Sequence, residues 1–133
     1  TAEEFEVMKT HTAKGGEIIR QIEGVWDARK KKICYEICRH HHERYDGRGY
    51  PDGLKGEEIP IAAQIVSLAD VYDALVSERV YKKPFPLDKA FEMILVGECG
   101  AFSPKLLDCF KKVRDEFEVL ARQNSQGSAA YHL

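Results

Sequence analysis

The sequence is short of three things: long apolar runs, an excess of one charge, and paired cysteines. Its uninterrupted apolar stretches are only a few residues long, far below the roughly 20 needed to span a bilayer, which argues against a membrane span or signal peptide in these residues. Lys and Arg total 20 against 22 Asp and Glu, a formal charge of −2. No global basic field recruits a nucleic acid polymer, so any recognition of phosphate is local. Cys34, Cys38, Cys99 and Cys109 lack zinc-ribbon or Cys-x-x-Cys spacing and are expected as buried apolar thiols. Nothing calls for an oxidising compartment, and a cytoplasmic location is the default expectation. At 133 residues, the chain is long enough for one domain with one core.

What is present reads as helix. Thr1 and Glu4 fit a capping box, so the chain enters a helix at once, as expected of a piece of a longer protein. Thr12 is expected to cap a second short helix through Gly15-Gly16, leaving His11 at the junction. Asp27 caps a third, on which Ile33, Ile37 and His41 form one row and Cys34, Cys38 and His42 the next. Residues 43–60 hold four glycines and two prolines, which excludes continuous helix or strand; loops of this length in a compact domain are usually functional. The helical period resumes from Ile61 to Leu75. A further helix is expected near Leu87–Val96, ended by Gly97 to Gly100. Ser103-Pro104 opens a last helix that should bury Leu106, Leu107, Phe110, Val113, Phe117 and Leu120. Residues 123–133 are expected to be a disordered tail. The fold class is all-α.

Two vicinal histidines followed by Glu43 leave a structural and a metal-binding reading evenly balanced. Imidazole suits zinc, iron and manganese. His40 points about a hundred degrees from His41 and is expected to be an exposed neighbour.

The wording around these residues is specific. His41-His42-Glu43, Asp46-Gly47-x-Gly49-Tyr50-Pro51, Ile59-Pro60 and Ala69-Asp70-Val71-Tyr72-Asp73-Ala74-Leu75 together resemble the HD-GYP signature. HD-GYP proteins are bacterial metal-dependent phosphodiesterases of the HD superfamily. The likeness runs from about Glu3 to Phe110 and implies an HD-type helical bundle over residues 1–122. It also implies two or three divalent metal ions, iron or manganese with zinc as the alternative, bound by His11, His41, His42 and Asp70. A water activated between two ions about 3.5–4 Å apart would attack phosphorus in line. Asp73 would orient a ligand or lysine, Arg79 and Lys82 would clamp the phosphodiester, and Gly49 and Tyr50 would meet substrate or a partner. Asp73 and Lys82 are thus the candidate catalytic residues.

The His-Asp dipeptide of that family appears nowhere in this sequence, and truncation is the favoured expectation over degeneracy. The resemblance implies hydrolysis of cyclic di-GMP to pGpG or GMP in an intact parent, with these residues alone inactive. The rivals are an adaptor that binds cyclic di-GMP or a diguanylate cyclase domain without turnover, and a phosphohydrolase acting on another nucleotide. Apolar surface left uncovered by the missing helices is expected to favour a homo-oligomer.

Overall fold

The computed structural model describes residues 1–21, 27–78 and 82–130, and side chains as far as Gln123. Among the described residues there are six α-helices, one short 3₁₀ turn and no strand, so the fold is all-α. The chain divides into two compact units, Thr1–Ser67 with Ala101–Ser103, and Leu68–Gly100 with Pro104–Leu133.

The first unit is built on two long helices. Helix α1 (Ala2–Gln21) starts as its capping box requires: the Glu4 N–H donates to Thr1 Oγ1 at 3.1 Å, and the Thr1 nitrogen donates to Glu4 Oε2 at 2.7 Å. The expected break before Thr12 does not occur. Thr12 is buried inside the helix, its hydroxyl donating back to Lys9 O at 3.2 Å. Gly15 and Gly16 do not interrupt the helix, because their bare backbone is where α2 (Ala28–His40) packs. A Cβ at Gly16 would sit 3.1 Å from Tyr35 Cε2. Interior glycine costs about 1 kcal/mol of helix propensity, and this packing offsets it. Asp27 caps α2 as expected, accepting from the Lys30 N–H at 2.8 Å.

After α2 the chain runs through a loop, a 3₁₀ turn (Gly56–Glu58) and into α3 (Ile61–Val76). Loop ends meet at an isolated bridge between Asp46 and Lys55, and the Tyr50–Pro51 peptide is cis. Gly49 lies so close to α2's end that a Cβ would collide with the backbone of His42 and Arg44. Ile59, Ala63 and Phe102 are buried in this unit, whereas Val7, Met8 and Ile18 of α1 stay exposed.

The second unit contains the later turns of α3, then α4 (Leu87–Leu95), α5 (Pro104–Lys112) and α6 (Arg114–Ala130). Gly97, at φ +84°, stops α4 with a Schellman arrangement: its N–H donates to Ile94 O and that of Glu98 to Met93 O. Tyr72, Phe91, Phe110 and Phe117 form the aromatic centre, with Tyr72 edge-on to Phe110 at 5.9 Å and to Phe117 at 5.1 Å. The single last helix expected from Pro104 onward is two. The Val113 N–H is shared between Cys109 O and Phe110 O, tightening the end of α5 before α6 begins. Val113 and Leu120 are exposed, contrary to their expected burial, and Cys109 is an exposed free thiol. Helix α6 continues to Ala130, past the boundary at 123 set for a tail.

Candidate metal centre

His11 leaves the middle of α1, and His41 and His42 follow the last turn of α2. Each offers one donor atom, and the three atoms lie within 4.8 Å of one another. Bonds of about 2.0–2.1 Å to a common ion allow donors to stand at most about 4.2 Å apart, so small side-chain rotations suffice to share one. The tautomers favour it. His11 Nδ1 donates to Met8 O, and His41 Nδ1 donates to Ile37 O at 2.8 Å and lies 3.1 Å from Cys38 O. A carbonyl only accepts, so the proton sits on Nδ1 and Nε2 keeps its lone pair for a cation.

His42 is held differently. Its ring lies 4.3 Å from that of His41, 5.1 Å edge-on to His11, and nearly parallel to Tyr50 at 5.1 Å and 15°. Burial, then the neighbouring His41, His11 and Arg44, lower its pKa to about 4. It is therefore neutral at pH 7, the form in which imidazole binds metal. These residues fit a divalent cation.

Positive groups border the cluster and are already engaged. Lys9 pairs with Glu6 at 3.2 Å and lies over the rings of Phe5 and Tyr50. Arg44 donates to Ser67 Oγ at 2.8 Å.

A second group, His40, Glu43 and Asp52, also gathers donor atoms within 4.8 Å. His40 is not the exposed neighbour expected: the loop folds back over it, leaving its side chain 12% exposed with Nδ1 3.4 Å from Glu43 and 3.6 Å from Asp52. The carboxylates here are committed to holding chain together. Both Asp52 oxygens are taken by Arg39 at 2.8 and 2.9 Å, and Glu43 Oε1 accepts the Gly53 N–H at 2.8 Å. This is a clasp that pins residues 52–54 to the end of α2. Sequence reasoning missed it, since a pairing 13 residues apart across a loop carries no periodic signal.

The other candidates belong to the second unit. Asp70 and Asp73 are exposed on α3, one turn apart, and Asp73 accepts from Ser77 Oγ at 2.8 Å. Lys82 is exposed, its ammonium over the Phe85 ring at 4.5 Å. Arg79 lies outside the described residues. Gly49 and Tyr50 lie in the first unit, beside the histidines.

A family model described as HD domain matches residues 1–99. Over 132 residues the chain is 39% identical to a Thermotoga maritima protein named cyclic di-GMP phosphodiesterase, covering 99% of this chain and 35% of that one. It is 40% identical over 129 residues to the cyclic di-GMP phosphodiesterase response regulator RpfG of Xanthomonas campestris, covering 97% and 33%. It is also 36% identical over 116 residues to the 3'3'-cGAMP-specific phosphodiesterase 2 of Vibrio cholerae, covering 87% and 22%. The chain thus spans about a third or less of the length of these relatives.

Proposed function

The chain belongs to the HD-domain family, and from that membership we propose that it forms part of a metal-dependent phosphodiesterase hydrolysing cyclic di-GMP to pGpG or GMP. Its relatives agree with the resemblance to HD-GYP proteins carried by the motifs. The observation that supports the chemistry most directly is the trihistidine cluster, with two rings turned by backbone carbonyls to offer Nε2 and the third kept neutral.

In this reading His11, His41, His42 and Asp70 hold the metal, two or three iron or manganese ions with zinc as the alternative. Divalent ions, when bound, neutralise phosphate charge and make a water acidic enough to attack at neutral pH. The chain's own residues do the rest. Lys82, with Arg79, binds the phosphodiester oxygens; arginine supplies a planar fork and lysine a point charge. Asp73 orients a ligand or lysine, and Gly49 and Tyr50, beside the histidines, meet substrate or a partner. A cyclase domain as a second partner belongs to the same reading.

Cyclic GMP-AMP is the competing substrate, favoured by the relative named for it. The test is a panel of cyclic di-GMP and 3'3'-cGAMP offered to the protein at its full natural length, with iron or manganese supplied anaerobically. Cyclic di-GMP turned over at least tenfold faster supports the proposal; the reverse order moves the substrate to cyclic GMP-AMP. Metal content and turnover should fall together in Asp70→Ala, whereas Lys82→Ala should lose turnover and keep its metal. A Lys82→Ala protein with wild-type kinetics removes that residue from the site.

A further inference from the structure

Histidines that bind metals almost always have their remote nitrogen fixed by a carbonyl or carboxylate, because a freely turning ring loses entropy on binding and presents its lone pair in the wrong direction. His11 and His41 follow this rule through Met8 O and Ile37 O. His42 does not: among the described residues no hydrogen bond to its ring is found. What fixes it is a face, the Tyr50 ring lying nearly parallel to it at 5.1 Å.

Tyr50 is itself held from both sides. Its N–H donates to His42 O at 3.2 Å, which ties the loop to the residue that the ring covers. Gly49 makes this approach possible, since any side chain there would strike the backbone of His42 and Arg44. Beyond Pro51, Asp52 is locked by Arg39 and Gly53 by Glu43. The loop thus carries Tyr50 on a short, doubly anchored span whose only aromatic side chain faces the histidine cluster.

We propose that Tyr50 is a positioning residue for the metal centre, its ring serving His42 as the carbonyls serve His11 and His41. This rests on the reading that the three histidines bind a metal. It assigns the ring face of Tyr50 that meets His42 to the protein itself, so that face is closed to a nucleotide base.

The experiment is cobalt(II) uptake by the full natural chain, followed by visible absorption and by competition with a chelator, in wild type, Tyr50→Phe and Tyr50→Leu. Tyr50→Phe keeps the ring and should bind within about twofold of wild type with the same spectrum. Tyr50→Leu should bind about tenfold more weakly, the loss typical when a ligand's orienting partner is removed, and show a shifted absorption band with its helical content unchanged. Equal affinity and spectrum in Tyr50→Leu overturn the positioning role while leaving the metal reading intact. No cobalt uptake by wild type, under conditions where it is folded, overturns both. A ring-to-ring nuclear Overhauser effect between Tyr50 and His42 in the wild-type protein decides the matter if Tyr50→Leu does not fold: its presence supports the stacking, its absence refutes it.

Discussion

The Glu43 carboxylate, wholly withdrawn from solvent, accepts the Gly53 N–H at 2.8 Å. The Leu54 N–H points to the same group from 3.4 Å. A buried carboxylate is tolerated only when its lone pairs are used, and here they terminate a loop that has no sheet or helix to accept its amides. The motif glutamate that follows His42 thus joins the end of α2 to the residues just beyond Pro51.

Glu43→Ala should therefore destabilise the fold by about 1–3 kcal/mol, the range for losing hydrogen bonds accepted by a carboxylate. Glu43→Gln keeps an acceptor oxygen and should lose less. Urea unfolding of both variants checks this; an alanine variant as stable as wild type would show that solvent satisfies the Gly53 amide.

The neighbouring Asp52 gives a pH dependence. Hydrogen bonding to Arg39 holds its carboxyl below the ordinary range. The unfolded chain then binds the proton more readily, so the contribution is complete above the ordinary carboxylate pKa of about 4 and disappears as pH falls through the lower folded value. The pair is about a third exposed, which limits it to about 1 kcal/mol or less. Asp52→Asn should be slightly less stable than wild type at pH 7, and the difference should shrink as pH falls below about 4. A difference that does not vary with pH would mean that the pair contributes through packing alone.

His42 titrates in the opposite chemical sense with the same direction of effect. Its pKa, pressed to about 4, lies below the usual histidine value, so protons prefer the unfolded chain. In metal-free protein this group's contribution should be complete above about pH 6.5 and decline as pH falls toward its folded value. Nuclear magnetic resonance of the His42 ring should show no protonation step between pH 5.5 and 8. A midpoint near 6.5 would mean that the ring is solvated and that the cluster opens in solution.

Much of the frame was legible from local signals. Asp27 starts one helix and Gly97 stops another for reasons written within four residues of each, and vicinal histidines one turn beyond a helical row had to emerge together. The features that escaped are those decided by tertiary contact. Thr12 read as the cap of a new helix because its sequence does not tell that its hydroxyl turns back to Lys9 O inside a continuous one. His40 read as exposed because nothing in its own helix tells where residue 52 returns. Val113 fits an apolar helical row, yet a shared hydrogen bond divides the helix there.

Gly49 offers the sharpest separation of packing from chemistry. Its neighbours are main-chain atoms of His42 and Arg44, which cannot rotate aside as a side chain would. Gly49→Ala must therefore push the loop off the end of α2, at a cost of about 1–3 kcal/mol or more. The displacement carries Tyr50 away from His42, so cobalt affinity should fall alongside stability. Gly97→Ala is the control. It meets nothing within 4 Å, and its strain comes from a φ of +84° at the end of α4, outside the loop that carries Tyr50. Comparable loss of stability in the two variants, with cobalt affinity reduced only in Gly49→Ala, is the expected pattern. Chelator competition and urea unfolding measured on the same samples check it, and a Gly49→Ala protein with wild-type cobalt affinity would show that the histidines keep their arrangement without the loop above them.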